Sequence, residues 1–394
     1  MSYAGYYFCR KPFYIAKATL QEVYGWDAST LALIGTIYLI AYTIGQFIAG
    51  WAGNRFGARV LLLTGMAVSI GCNLVFGFTN SWQTFAAFML VNGLAQATGW
   101  SNNVGVMAQW FRKSERGTVM GFWGTNYQVG GVLANALAAF LLDLWGVQWS
   151  FFGGSIVLFA IWSFFVFNQA NKPEDLGLPA IVDAEELGAD GSDAPWSTDV
   201  IINILLVGMF YFFVKFIRYA LWSWTPYLLD THFGMDADDA GYLSTVFDLT
   251  GILGVILCGL MSDKWFDGKR AGISFIWIIG MAASCALMYL VGTSSITLFG
   301  ICIGLIGFTL YGPDALMAGA GAAEVGSAKK AVLAVGIVNG MGSMGSIVQE
   351  FVMGSLLEDG SVAFVFAVLF GSSLLAAACL SVLIIRGRRG LPTV

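Results

Sequence analysis

The chain has 394 residues, 58% hydrophobic and only 11% charged, with a formal net charge of −5. An average soluble domain is roughly one quarter charged, so a chain this long has too few ionised side chains to cover a water-facing surface. The acidic balance excludes a nucleic-acid binder that works by bulk positive charge, and what remains is an all-α protein that crosses a bilayer many times.

A spanning helix needs about 20 mostly apolar residues. In chain order such runs lie near 29–53, 59–79, 82–109, 117–142, 147–168, 199–229, 239–261, 271–291, 295–322, 331–356 and 361–385, which makes eleven. A weaker twelfth occupies the N-terminus from Met1 to about Val23. Only nine residues precede Arg10, so this first span is expected either to be short or to continue from an upstream start. It lacks the charged region followed by an apolar core that marks a signal peptide. The polar, acidic stretch from Asn171 to Ser197 has linker composition. It predicts an N-terminal bundle over 1–170, a linker over 171–198 and a C-terminal bundle over 199–394, six helices in each bundle.

Orientation follows from lysine and arginine. Of the 19 such residues, 14 fall in loops on one side, in the linker and at the C-terminus, whereas the opposite loops hold acids such as Asp143, Asp236 and Glu358. The excess of positive charge marks the cytoplasmic side, which puts the linker and the C-terminus there. An integral, multi-pass protein of a bacterial inner membrane is the expected setting.

The two halves repeat. "GWAGNRFGAR" begins at Gly50 after the second span and "GLMSDKWFDGKR" begins at Gly259 after the eighth, an offset of 209 residues; Arg10 and Arg218 are 208 apart. Two landmarks at nearly one offset predict a duplication with a pseudo-two-fold axis along the membrane normal. Six plus six helices with such a repeat is the architecture of the major facilitator fold.

Charges inside the spans carry the chemistry. Each Arg or Lys at mid-span opposes insertion by about 2.5–3.5 kcal/mol, so Arg10, Lys11, Lys215 and Arg218 together oppose it by roughly 10 kcal/mol. Lys17, near a helix end, fits snorkelling. Arg10 and Arg218 do not, because each lies deep in its span at matched positions of the repeat. Helical spacing puts Tyr3, Tyr7, Arg10, Tyr14 and Lys17 on one face of the first helix, and Tyr211, Lys215, Arg218, Trp222 and Thr225 on one face of the seventh. The planar guanidinium donates paired hydrogen bonds to carboxylate or phosphate oxygens, which points to a compact anionic substrate. Among the acids within spans, Asp248 is expected either as a structural partner of Lys215 or Arg218 or as a gating or proton-coupled group. Asp314 follows a helix-breaking "YGP", and Glu350, toward the outer half of its span, reads as a packing or gate residue.

Asn102, Asn103, Asn126, Gln128 and Asn339 also lie within spans, where hydrogen bonds between helices account for most polar residues. All six cysteines lie in apolar runs without CxxC spacing and read as packing residues. His232 is the sole histidine, so no His-based metal site and no cofactor is expected. No non-membrane segment holds a catalytic constellation, so the protein is not expected to be an enzyme. A monomer is the default for this architecture.

Several stretches resemble the organophosphate:phosphate antiporter family: "SYAGYYFCRKPF" from Ser2, "NGLAQATGW" from Asn92, "QWFRKSERG" from Gln109, "FIRYALWSWTPYLL" from Phe216, "CGLMSDKWFDGKR" from Cys258 and "GFTLYGPDAL" from Gly307. The resemblance covers both halves. It implies exchange of a phosphorylated metabolite, a sugar phosphate or glycerol phosphate, for inorganic phosphate by alternating access. It also implies that Arg10 and Arg218 are paired phosphate ligands with Lys11 beside the first, and that Tyr3, Tyr7, Tyr42 and Tyr311 line the substrate cavity. Three departures stand out. Gln46 replaces a lysine of bacterial members, Tyr127 replaces a histidine of the glycerol-3-phosphate type, and Asn54 replaces the usual aspartate of the loop motif. Two fewer cationic groups allow a bulkier or less charged substrate, and Trp222 is a candidate for stacking on a sugar face or for simple packing. A proton-coupled carboxylate transporter using Asp248 or Glu350 is the alternative, and a ligand-binding sensor without turnover is a third reading.

Overall fold

A computed structural model describes residues 1–181, 196–235, 237–326, 330–358 and 362–391, and every regular element among them is helical. Half of the expected linker, residues 182–195, lies outside the described residues. Ten helical segments are long and apolar enough to cross a membrane. They belong to α3 (Ala28–Phe56), α4 (Ala58–Phe78), α7 (Lys113–Trp145), α8 (Val147–Asn168), α9 (Thr198–Phe233), α10 (Ala237–Phe266), α11 (Arg270–Val291), α12 (Ile296–Leu316, continued by a π turn to Gly321 and by α13, Ala322–Val325), α14 (Ala331–Glu358) and α15 (Val362–Arg388).

The remaining two expected spans are present as broken helices. The first is α1 (Ser2–Phe8) followed by α2 (Lys11–Tyr24), and the fourth is α5 (Trp82–Gln96) followed by α6 (Thr98–Trp110). One straight helix through Tyr3, Arg10 and Lys17 was the expectation, and the break at Cys9–Arg10 corrects it. Pro12 sits in the first turn of α2 and has no amide hydrogen for the Phe8 carbonyl four residues back, so a continuous helix loses its ladder there. In the break itself the Cys9 carbonyl accepts from the side-chain amides of Asn73 (2.9 Å) and Asn92 (3.2 Å). Buried asparagines thus supply donors to the backbone there. Outside the spans, Asp27 caps α3 by accepting from the Thr30 amide at 2.7 Å. Hydrogen bonds from Thr30 and Ser29 hold its carboxyl below the usual carboxylate range.

The helices pack as two compact units, residues 1–110 with 126–181, and residues 111–125 with 182–394. In the first unit α3 lies along α5, α4 lies against α8 and α5, and α1 and α2 lean on α8. Its core is aromatic: Phe13, Phe76, Phe85 and Phe151 are buried together, with the Phe76 and Phe85 rings stacked at 4.1 Å. In the second unit α10 pairs with α12, α9 with α14, and α11 with α15 and α12. Large apolar side chains such as Phe140, Phe159, Ile276 and Leu375 face outward, as lipid requires and water would penalise.

The loop motif of the second repeat is a turn with Asp267 and Gly268 at φ +48° and +73°. It brings the fully buried Arg270 back onto Asp263, to which it is paired, and onto Ser262 (2.8 Å) and Glu324 (3.1 Å). Arg270 also donates to the Lys113 carbonyl, and Asp263 accepts from the backbone amides of Gly117 and Thr118. This buried cluster fastens the start of α7 to the second unit. In the first repeat Asn54 stands at the matching place and is exposed, while Arg59 donates to the Val166 carbonyl at 2.5 Å.

Candidate functional site

In the first unit the break between α1 and α2 places Arg10 at the N-cap of α2. Its Nε donates to Gln96 Oε1 at 2.8 Å, and its guanidinium carbon lies 4.9, 5.8 and 4.8 Å from the ring centres of Tyr7, Tyr38 and Tyr42. A cation over several aromatic faces keeps its charge at low desolvation cost. Gln96 is the hub, since its Oε1 also accepts from the Tyr38 hydroxyl at 3.1 Å and its Nε2 donates toward Asn92. Arg10 forms no salt bridge among the described residues, and its Nη2 is buried without a hydrogen-bond acceptor. A buried donor left in that condition costs about 1–3 kcal/mol, more for a charged group.

Other expected residues gather around it. Tyr3 is buried and meets Tyr7 and Trp100 edge to face at 5.8 and 5.2 Å, and Trp100 continues to Tyr127 at 6.2 Å. Tyr38, Tyr42 and the fully buried Gln46 recur every four residues on α3 and so share a face. Lys11 passes Gly131 of α7, its Cε 3.8 Å from where a Cβ would stand. Lys17 is one helical stretch away, over Phe13 and Tyr14.

The second unit holds a cluster of different charge. Arg218 on α9 is ion-paired with Asp314 on α12 at 2.9 Å, the carboxylate being 1% exposed. The Tyr311 ring lies 5.2 Å from the Arg218 guanidinium, and the Tyr311 hydroxyl donates to Asp248 of α10 in a short hydrogen bond. The sequence expectation left Asp248 as either a partner of Lys215 or Arg218 or a gating or proton-coupled group. The structure gives Arg218 the carboxylate of Asp314, two helices further along, which follows Tyr311 by three residues and shares its face of α12. Lys215 is buried and donates to Asn339 Oδ1 at 2.9 Å and Ser343 Oγ at 3.0 Å on α14, with the Tyr211 ring 5.0 Å away. Asn339, expected as a packing residue, is therefore a lysine ligand. Trp222 is 46% exposed and its ring meets that of Tyr219. Glu350 is exposed on α14, eleven residues or about 16 Å of helix beyond Asn339, and the structure does not bring it to the cluster.

Sequence reasoning missed Gln96, Tyr38 and Ser343. Tyr38 stood in plain view one turn before Tyr42. Gln96 is a buried amide inside an apolar run, of the kind that was assigned to packing.

The family model of the Major Facilitator Superfamily matches residues 1–216 and again 204–393. A sugar phosphate exchanger 3 from Xenopus laevis is 33% identical over 272 residues, covering 59% of this chain and 54% of that protein. A glycerol-3-phosphate transporter from Bacillus subtilis is 31% identical over 296 residues, covering 70% of this chain and 66% of its own length. The chain thus spans between about half and two thirds of these curated relatives. The proton:xylose symporter XylE superposes with a TM-score of 0.75 at 14% identity, covering 96% of this chain and 93% of that one, a likeness of fold.

Proposed function

Because the chain belongs to the Major Facilitator Superfamily, and its relatives include sugar phosphate and glycerol-3-phosphate carriers, we propose that it exchanges a phosphorylated metabolite for inorganic phosphate by alternating access. The observation that carries this reading is Arg10, a guanidinium ringed by tyrosines, unopposed by any described carboxylate and holding a buried Nη2 without an acceptor. A phosphate oxygen supplies what that nitrogen lacks, through a charge-assisted hydrogen bond that Arg geometry favours. Arg218, at the matching place in the repeat, is the second anion ligand in this reading.

Lys11, Tyr3, Tyr7, Tyr42, Gln46 and Tyr127 would then shape the site of the first unit, with Lys215 and Tyr311 serving the second. Asp248, Asp314 and Glu350 would be gating or coupling groups. The domain division at 1–170, 171–198 and 199–394, a bacterial inner membrane, a cytoplasmic linker and C-terminus, and a monomer complete the reading.

The test is reconstitution of the purified chain into phosphate-loaded liposomes, measuring labelled phosphate uptake and its competition by sugar phosphates, glycerol phosphate and dicarboxylates. Exchange predicts uptake that requires internal phosphate and is competed by a phosphate ester. Uptake driven by a pH gradient, indifferent to internal phosphate and competed by a dicarboxylate would replace this reading with the carboxylate one.

A further inference from the structure

The two arginines occupy opposite electrostatic settings. Arg10 has tyrosine rings and an amide around it, whereas Arg218 is held at 2.9 Å by a carboxylate that is itself almost wholly buried. Charged groups on the neighbouring helices have partners of their own. Lys215, three residues before Arg218 on α9, is engaged with Asn339 and Ser343 of α14. Asp248 of α10 is bonded to Tyr311, and the sole charged residue of α11, Arg270, is engaged with Asp263 and Glu324.

An anion that comes to Arg218 therefore meets Asp314 as well. Displacing the carboxylate from its guanidinium leaves a buried charge without its counter-ion, which is strongly unfavourable. Keeping it in place sets a carboxylate, which only accepts hydrogen bonds, beside the incoming oxyanion. A fully deprotonated anion brings only further acceptors, and two acceptors repel. An anion with one protonated oxygen resolves the conflict, since its P–O⁻ takes a guanidinium N–H while its P–OH donates to Asp314.

Resting on the phosphate-exchange reading above, we propose that Asp314 is a specificity-determining residue that restricts the Arg218 site to the protonated, monoanionic form of phosphate or a phosphate monoester and excludes sulfate, which has no proton to donate at neutral pH. No proton leaves the substrate in this scheme; it remains on the phosphate and is carried across with it. A phosphate monoester loses its second proton with a pKa of about 6. When one form of a binding partner is competent, apparent affinity scales with that fraction. The apparent KM for total phosphate substrate should thus rise about tenfold per pH unit once the pH is well above the substrate's second pKa.

The experiment uses the full chain in phosphate-loaded liposomes, with labelled phosphate uptake measured from pH 6 to 8, with and without excess sulfate. The wild-type chain is expected to lose apparent affinity as pH rises and to ignore sulfate. Asp314→Asn, whose amide can donate as well as accept, should flatten the pH dependence and let sulfate compete, while Asp314→Glu should restore both wild-type properties. Sulfate competing with the wild-type chain as well as unlabelled phosphate does would overturn the proposal, and that arm needs no variant to fold. An Asp314→Asn chain with an unchanged pH profile and unchanged sulfate exclusion would overturn it too. Absence of phosphate uptake by the wild-type chain at every pH is a different result, and it sinks the exchange reading itself.

Discussion

Arg10 and Gln96 form the smallest unit on which the function turns. Lysine at position 10 keeps the charge but loses the fork, so it cannot hold Gln96 through one nitrogen and present another to an oxyanion. Hydrogen bonds to charged groups contribute about 1.5–3 kcal/mol, so Arg10→Lys should weaken phosphate affinity by roughly tenfold to a hundredfold, with the amount of protein in the membrane unchanged. Phosphate uptake normalised to inserted protein measures this, and undiminished affinity would remove Arg10 from the site. Gln96→Leu should act in the same direction without altering any charge, because the Nε contact and the Tyr38 hydroxyl contact are lost together. The charged member of this group was legible in the sequence, since an arginine deep in a span demands a reason. The amide that positions it was not, because a glutamine in an apolar run looks the same whether it packs or holds a ligand.

The elements that carry these residues depend on local backbone chemistry. Each of the twelve expected spans is met by a helix or a helix pair, since apolar length is a strong signal. The interruptions were harder to see. Pro12 announces the first break, being a residue whose ring and missing N–H disrupt a helix interior. Ala97 carries no such mark, and its place is defined by packing: Gly93, on the last turn before it, has Tyr38 of α3 so near that a Cβ would stand 2.7 Å from the Tyr38 carbonyl oxygen. The same device acts at the second cluster. Gly251 of α10 faces the Tyr311 ring, and a Cβ there would collide with Tyr311 Cδ2. Gly251→Ala must therefore push Tyr311 off Asp248 and away from Arg218. The expected result is loss of phosphate exchange with the helices intact by circular dichroism. Wild-type uptake by that variant would show that Tyr311 has no part in transport.

At the scale of the whole chain, sequence order and packing part company at residues 111–125, which follow the fourth span yet pack with 182–394. The reason is the Arg270 cluster. A fully buried guanidinium holds the Lys113 carbonyl while its partner Asp263 holds the amides at Gly117 and Thr118. The loop motif itself was visible in both repeats, and Asn54 in the first marked a difference between them. The partners of Asp263 were not visible, since they lie about 145 residues away in sequence. Removing one member of a buried ionic group costs about 3–5 kcal/mol, because the charge left behind has no counterpart. Arg270→Ala leaves Asp263 and Glu324 facing each other, so the start of α7 should come loose from the second unit. Trypsin tests this directly at Arg112, which is exposed and one residue before Lys113. Cleavage there should accelerate in the variant relative to cleavage at Arg388, which is far along the chain in α15 and serves as an internal reference. Asp263→Asn should give a smaller acceleration, since the amide keeps one oxygen for one of the two backbone amides, which donate to different oxygens of Asp263, but offers no charge to Arg270. Equal cleavage ratios in the wild-type chain and both variants would mean that hydrophobic packing alone holds this segment, and the ionic group would then need another explanation.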